Sequence, residues 1–271
     1  METVLTRDGS RTLHSIQYDE HYHSLGGAFS EAEQIYFKGC QLDFKAKSQK
    51  QIDILDIGFG LGYNVFVAIH KIHEINPACF LRMVSFEQNQ DVFSFLDYPE
   101  SIRALALRIK KNFKRQDQIL TYQDAMLSCV IHLADARRGI KALYRKFDAV
   151  FLDPFSTQKN PELWTVDFFK KIRKRMKKDA IAATYSIATP VITGLLEAGL
   201  YPMIAQGTAT KRYSLVAHRQ KQQPLPERFL KKLPLSLERE PFRDPLLTLS
   251  REAILKNRER NKQFIIMKGW L

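Results

Sequence analysis

The sequence predicts an α/β fold: a doubly wound, mostly parallel sheet of seven strands whose last strand runs antiparallel, with small N- and C-terminal appendages. Three observations predict it. Apolar, β-branched runs of strand length alternate with segments of helical periodicity. The first such run stops at a glycine cluster that opens a helix, and the alternation closes on two strands joined by a short turn.

The first strand is 52–57, β-branched and apolar up to Gly58. A helix over 63–75 follows, with Val65, Ile69 and Ile72 on one face and a stop at Asn76-Pro77. Next come a strand over 80–86, a helix headed by Asp91, a strand over 118–122 and a helix over 125–133. The pattern continues with strand 147–152, helix 161–176, strand 180–185 and helix 190–198. After Gly199, strands 201–205 and 212–217 form a hairpin, which makes the last strand antiparallel. Alternation of this kind gives βαβ units with right-handed crossovers, a Rossmann-like order.

At 271 residues and 45% hydrophobic, the chain can bury one sizeable core and carry a modest appendage. Residues 1–50 and those beyond 220 fall outside the alternation, and Pro224, Pro226, Pro234, Pro241 and Pro245 interrupt the latter. The expected organisation is an N-terminal lid over 1–50, a main domain over 51–220, and a basic extension over 221–271 whose 250–262 stretch is a charged helix. No uncharged apolar run reaches the roughly 18 residues of a membrane span, and the N-terminus lacks the apolar core of a signal peptide, so a cytoplasmic protein is expected. Cys40, Cys79 and Cys129 are far apart and never in a C-x-x-C pair. They read as buried small apolar residues, with no disulfide framework and no metal site.

The net charge of +13 favours a polyanionic partner, either nucleic acid or an anionic lipid surface. Basic residues cluster at 108–115, 170–178, 211–212 and 251–262. The 170–178 cluster reads as the solvated face of a helix, because Phe168, Phe169, Ile172 and Met176 recur at helical spacing.

The segment Asp56-Ile57-Gly58-Phe59-Gly60-Leu61-Gly62-Tyr63-Asn64 puts three glycines between the first strand and the first helix, the place for a bound cofactor. A dinucleotide fingerprint would carry its third glycine where Tyr63 stands, and no Lys-Ser/Thr follows to make a phosphate-binding loop. Glu87 closes the second strand and could accept the hydroxyl protons of a ribose. Gln123 and Asp124 close the expected third strand; Asp124 could accept the exocyclic amine of an adenine or cap the next helix. The G-x-G-x-G spacing with Glu87 and Asp124 points to S-adenosylmethionine.

The fourth strand runs into Asp153-Pro154-Phe155-Ser156-Thr157-Gln158-Lys159-Asn160-Pro161-Glu162-Leu163-Trp164, a loop stiffened by two prolines. A carboxylate at the end of a central strand suits a nucleophile that must lose a proton, and equally could anchor the loop through backbone N–H groups. Lys159 could meet a phosphate or orient the loop, and Trp164 reads as a core residue of the next helix.

The glycine loop, the 153–164 loop and the N-terminal Glu20-His21-Tyr22-His23-Ser24-Leu25-Gly26-Gly27-Ala28-Phe29-Ser30-Glu31-Ala32 together resemble the methyltransferase module of the MnmC family. Lys211-Arg212-Tyr213 and Pro241-Phe242-Arg243-Asp244-Pro245-Leu246 extend the resemblance over nearly the whole chain. It implies a class I S-adenosylmethionine-dependent enzyme that completes 5-methylaminomethyl-2-thiouridine at the wobble position of tRNA. Where relatives begin the loop Asp-Gly-Phe-Ala or Asp-Ala-Phe-Ser, this chain has Asp153-Pro154-Phe155-Ser156. The flavin-binding glycine motif of the oxidoreductase module is not found, so the resemblance is to the stand-alone form, no flavin is expected, and another enzyme supplies the aminomethyl substrate.

The resemblance gives Asp153 the role of orienting or deprotonating the amine. It implies that Ser24, Gly27 and Glu31 close over the methionine part of the cofactor, with Glu31 on its α-ammonium. Lys211, Arg212, Arg243 and the basic tail would meet the anticodon stem-loop, and Tyr22 or Phe155 would stack on a base turned out of the loop. Two other readings stay open: a methyltransferase or aminopropyltransferase-like enzyme acting on a small amine, which would call for an acidic cavity, and a non-catalytic RNA-binding protein.

Overall fold

The computed structural model describes residues 3–222 and 225–267. Strands β1 (Thr3–Leu5), β2 (Arg11–Ser15) and β3 (Glu20–His21) form a small antiparallel sheet. Helix α1 (Ala28–Glu31) runs on through a π-helical segment, Ala32–Lys38, to α2 (Leu42–Ser48). The main sheet begins at β4 (Gln51–Ile57), followed by α3 (Tyr63–Ile75), β5 (Phe80–Phe86) and α4 (Glu100–Lys111). Then come β6 (Lys114–Gln116), β7 (Ile119–Gln123), β8 (Leu127–His132), α5 (Ala136–Ala142) and β9 (Phe147–Leu152). The rest is α6 (Val166–Arg175), β10 (Met176–Thr184), α7 (Thr189–Glu197), β11 (Tyr201–Gln206), β12 (Tyr213–His218), α8 (Glu227–Lys232) and α9 (Arg251–Met267).

The main sheet has nine strands among the described residues, in the order β11-β12-β10-β9-β4-β5-β8-β7-β6. Strands β8, β5, β4, β9 and β10 are parallel, while β12 is antiparallel to both β10 and β11, as the hairpin ending predicts. Alternation along β4 sends Ile52 and Ile54 into one core layer and Leu55 and Ile57 into the other. The first layer is closed by Ile35, Tyr36 and Leu42 of the N-terminal segment together with α3 and α4, and the second by α5, α6 and α7. Residues 28–48 therefore pack one face into the core. The strand order reverses between β4 and β9, so a crevice opens at their carboxyl ends.

One element departs from expectation with consequences for the site. Residues 125–133 are not a helix: 127–132 form β8, parallel to β5, with Leu127, Cys129 and Ile131 buried in alternation. The strand expected over 118–122 is β7, which folds back antiparallel on β8 and adds β6 at the edge. Two helices also begin later than expected. The segment at Asp91 is a single 3-10 turn, Gln90–Ser94, and α4 starts only after Pro99. Pro161–Trp164 is likewise a 3-10 turn, and α6 begins after Thr165, whose hydroxyl accepts the Phe168 N–H. The apolar residues of α6, Phe168, Phe169 and Ile172, are buried under its basic outer face. All three cysteines are buried and free. No helix among the described residues is long and apolar enough to cross a membrane.

Candidate active site

A cavity of about 590 Å³ lies over the carboxyl ends of the parallel strands. Its floor is the glycine loop. Gly58, Gly60 and Gly62 all have positive φ, and a Cβ on Gly58 would come within 2.7 Å of the Asp153 carbonyl oxygen. That contact is where the loop after β4 meets the loop after β9, so only glycine fits there. A Cβ on Gly60 would meet only the Tyr22 ring, at 3.3 Å, which leaves this face of the loop turned to the cavity. Gly62 caps α3 with its backbone packed against Phe59 and Phe66.

Glu87 follows β5 into the wall. Its carboxylate accepts N–H bonds from Gly60 and Asn89, each at 2.8 Å, which pins the glycine loop to the second strand. Burial pushes its pKa up against the pull of those N–H groups. Beneath the loop, Asp56 is fully buried with both carboxylate oxygens unpaired, and burial raises its pKa well above the carboxylate range.

Asp153 forms the centre of the opposite wall. Its Oδ1 accepts the Tyr36 hydroxyl at 2.5 Å and its Oδ2 accepts Asn64 Nδ2 at 2.7 Å. Burial, reinforced by the negative charge of Glu31, raises its pKa to about 7, against the lowering effect of those two hydrogen bonds and of Lys211. Glu31 is buried, accepts the Ser24 N–H at 2.9 Å, and stands 3.5 Å from Lys211 Nζ. The same ammonium lies 4.3 Å over the Tyr185 ring, whose hydroxyl donates to the Pro154 carbonyl at 2.9 Å. Trp164 is in the core as expected and also donates its indole N–H to the Phe155 carbonyl.

The N-terminal hairpin roofs the cavity. Glu20 accepts the Ser156 N–H at 2.9 Å and also its hydroxyl, Tyr22 accepts Asn89 Nδ2 at 2.8 Å, and Lys159 reaches Asp19 at 3.3 Å. Of the residues singled out from sequence, Tyr22, Ser24, Glu31, Gly58, Gly60, Glu87, Asp153, Phe155 and Lys211 line the cavity. Asn64 stands behind its wall, bonded to Asp153, while Asp56 at the end of β4 and Gly62 at the start of α3 flank the glycine loop without lining the cavity.

Five others fall elsewhere. Gln123 ends β7 and Asp124 opens the β7–β8 turn, at the amino edge of the parallel strands and opposite the cavity, because β8 starts at Leu127. There Asp124 accepts the Met126 and Leu127 N–H groups and the Tyr122 hydroxyl, anchoring the turn. The residues that follow β8 into the cavity are Ala134, Asp135, Ala136 and Arg137. Gly27 caps α1 at φ 140°, where any side chain would strike Asp8 and Ser30. Arg212 is exposed on the β11–β12 turn, with its guanidinium over its neighbour Tyr213. Arg243 is held by Glu197 through two bonds of 2.7 and 2.9 Å and by Glu240. Asp244 beside it is fully buried, bonded to Arg137 at 2.8 Å and to the N–H groups of Thr248 and Leu249, so this segment locks the C-terminal chain onto α5. Sequence reasoning missed Tyr36, Tyr185 and His23. His23 borders the cavity with both ring nitrogens buried and unpaired, its pKa pushed down to about 4 by burial.

A glycine loop, a ribose-type acid after the second strand and a carboxyl near neutrality after the fourth, on this strand order, define an S-adenosyl-L-methionine-dependent methyltransferase. Residues 98–220 match a family described as S-adenosyl-L-methionine-dependent methyltransferase. The crystal structure of MnmC2 from Aquifex aeolicus superposes with a TM-score of 0.88 at 34% identity, covering 97% of this chain and 85% of that one. The chain belongs to the MnmC2 family of methyltransferases. An uncharacterized protein of Methanocaldococcus jannaschii is 28% identical over 96% of this chain and 72% of its own length. The tRNA 5-methylaminomethyl-2-thiouridine biosynthesis bifunctional protein MnmC of Paraburkholderia phymatum is 28% identical over 79% of this chain. The chain matches only 34% of that bifunctional relative.

The residues present fit the cofactor. Glu87 keeps free lone pairs beside its backbone donors, the Gly60 backbone faces the cavity, and Asn64 Oδ1 is a buried acceptor without a donor. Glu31 and Lys211 offer opposite charges for the two charged ends of an amino acid.

Proposed function

We propose that this protein methylates the primary amine of 5-aminomethyl-2-thiouridine at the wobble position of tRNA, giving 5-methylaminomethyl-2-thiouridine. The tRNA substrate follows from what the bifunctional relatives are named for. The observation that carries the chemistry is Asp153, a carboxyl in the cavity wall whose pKa lies at about 7.

An alkylammonium has no lone pair, so the substrate must shed a proton before it can act as a nucleophile. Bound S-adenosylmethionine supplies an electrophilic methyl group on a sulfonium centre. Asp153, poised near the working pH, takes the ammonium proton, and the dry wall around it favours the neutral amine. Tyr36 and Asn64 occupy one lone pair on each of its oxygens and fix the direction of the remaining ones. The Tyr185 hydroxyl, bonded to Pro154, and the Trp164 indole, bonded to Phe155, hold the loop that carries the carboxyl, which would keep the amine aligned on the cofactor methyl. Glu87 would hold the ribose, the Ala134–Arg137 segment that follows β8 would border the adenine, and Glu31 with Lys211 would hold the methionine end.

The test is transfer of labelled methyl from the cofactor to tRNA carrying aminomethyluridine. Wild-type protein transfers label; Asp153→Ala abolishes transfer and leaves cofactor affinity within a few fold. Cofactor binding without transfer by the wild type sinks the proposal, and loss of cofactor binding in Asp153→Ala makes Asp153 a loop anchor.

A further inference from the structure

Three flat groups from distant parts of the chain meet at the cavity lining in one column. Tyr18, from the β2–β3 turn, stacks on Phe155, with ring centroids 4.3 Å apart and planes 18° off parallel. The guanidinium of Arg251, the first residue of α9, lies 5.1 Å over the Tyr18 ring. Tyr22 meets Phe155 edge-on at 5.1 Å and closes the side of the column. The Arg251 side chain has no hydrogen bond or ion pair to any described residue, and its Nε is buried and unpaired. Its basic neighbours are spoken for: Arg137 by Asp135 and Asp244, Arg243 by Glu197, Arg258 and Lys262 by Glu238. A cation in the first turn of a helix also opposes the helix dipole, so α9 gains nothing from Arg251 at that position.

We propose that Tyr18, Phe155 and Arg251 form a stacking clamp that receives the acceptor pyrimidine of the RNA between the Tyr18 and Phe155 rings, with Arg251 capping the column and donating to an acceptor on the nucleotide. The inference rests on the RNA substrate proposed above. Without RNA the two rings stack on each other; a base enters when the β2–β3 turn moves outward by about one ring thickness, roughly 3.5 Å. Tyr18 sits on an exposed turn between Gln17 and Asp19, so this motion gives up the solvent-exposed Lys159–Asp19 contact and leaves the core unaltered. A stack of this kind recognises any flat base, and selection of the amine is left to Asp153 deeper in the cavity.

The test compares wild-type protein with Tyr18→Ala, Tyr18→Leu and Tyr18→Phe. Base stacking on an aromatic side chain corresponds to roughly a 10- to 100-fold effect on binding. Tyr18→Ala and Tyr18→Leu raise the KM for tRNA by about that factor with cofactor Kd unchanged, while Tyr18→Phe behaves as wild type. A fluorescent pyrimidine, pyrrolo-cytosine, at the wobble position of an anticodon stem-loop is quenched on binding wild-type protein and stays bright with Tyr18→Ala. Unchanged KM and quenching in Tyr18→Ala overturn the clamp while the methylation reading stands. Weakened cofactor binding in Tyr18→Ala overturns it in favour of a ring that covers the adenine. Failure of the wild type to methylate the tRNA removes both.

Discussion

Replacing Tyr36 with Phe removes one hydroxyl and leaves the ring, fully buried against Phe151, where it is. The hydroxyl is the donor to Asp153 Oδ1 at 2.5 Å, and it stabilises the ionised carboxyl more than the neutral one. A hydrogen bond to a charged group contributes about 1.5–3 kcal/mol, which corresponds to roughly one to two pH units in the titration of Asp153. In the proposed role Asp153 takes the substrate proton only when ionised, so activity rises with pH through its pKa, about 7 in the wild type. In Tyr36→Phe that rising limb shifts upward by roughly one to two pH units, and kcat near pH 7 falls by about 5- to 50-fold and recovers in alkali. The assay is a pH–rate profile of kcat at saturating cofactor and tRNA, beside cofactor Kd at each pH. A limb that does not move, or a loss of equal size at every pH, refutes the reasoning, because Tyr36 would then act through packing alone.

Glu87→Ala weakens cofactor binding by roughly 10- to 100-fold in isothermal titration if Glu87 is the ribose acceptor proposed above, and Gly60 also loses its carboxylate partner. Asp124→Ala leaves that Kd unchanged and lowers unfolding free energy in urea by about 1–2 kcal/mol, because its three hydrogen bonds hold the β7–β8 turn. Asp56 has its folded pKa raised by burial, so the stability it permits is complete below its unfolded pKa and is lost as pH rises toward the folded value. Asp56→Asn therefore melts with the wild type in acid and higher at neutral pH in the cofactor-free protein, by about 2–4 °C for each 1 kcal/mol recovered. Equal melting of the two proteins at every pH contradicts this account of Asp56.

The central strands were legible because they are buried on both faces and read as continuous apolar runs ending at chemistry-bearing residues, as in Ile57-Gly58 and Leu152-Asp153. Strand β8 was misread because it lies toward the sheet edge, and its buried Leu127, Cys129 and Ile131 alternate with Ser128, Val130 and His132 over a stretch short enough to pass for a helix turn. With β8 parallel to β5, Asp124 lies at the amino edge of the sheet, and the acid that follows β8 into the cavity is Asp135. The spacing of Leu127, Cys129 and Ile131 is the signal of a strand there, blurred by the apolar Val130 between them. Tyr36 carried no such signal, since its meeting with Asp153 depends on the π-helical segment that turns it under the sheet edge. The basic tail was overread. Arg258 is buried on Phe242 and Lys262 is paired with Glu238 and Glu259, which leaves Lys256 and Arg260 exposed along that stretch of α9. Charge counted along a sequence includes cations that the fold spends on its own carboxylates.

The most direct measurement is nucleoside mass spectrometry of tRNA that carries 5-aminomethyl-2-thiouridine, incubated with the protein and S-adenosylmethionine. With the wild-type protein this nucleoside disappears from the wobble position as 5-methylaminomethyl-2-thiouridine replaces it, and Asp153→Ala leaves it untouched. An unchanged aminomethyl nucleoside in the presence of bound cofactor, or a methyl group on any other nucleoside, would contradict it.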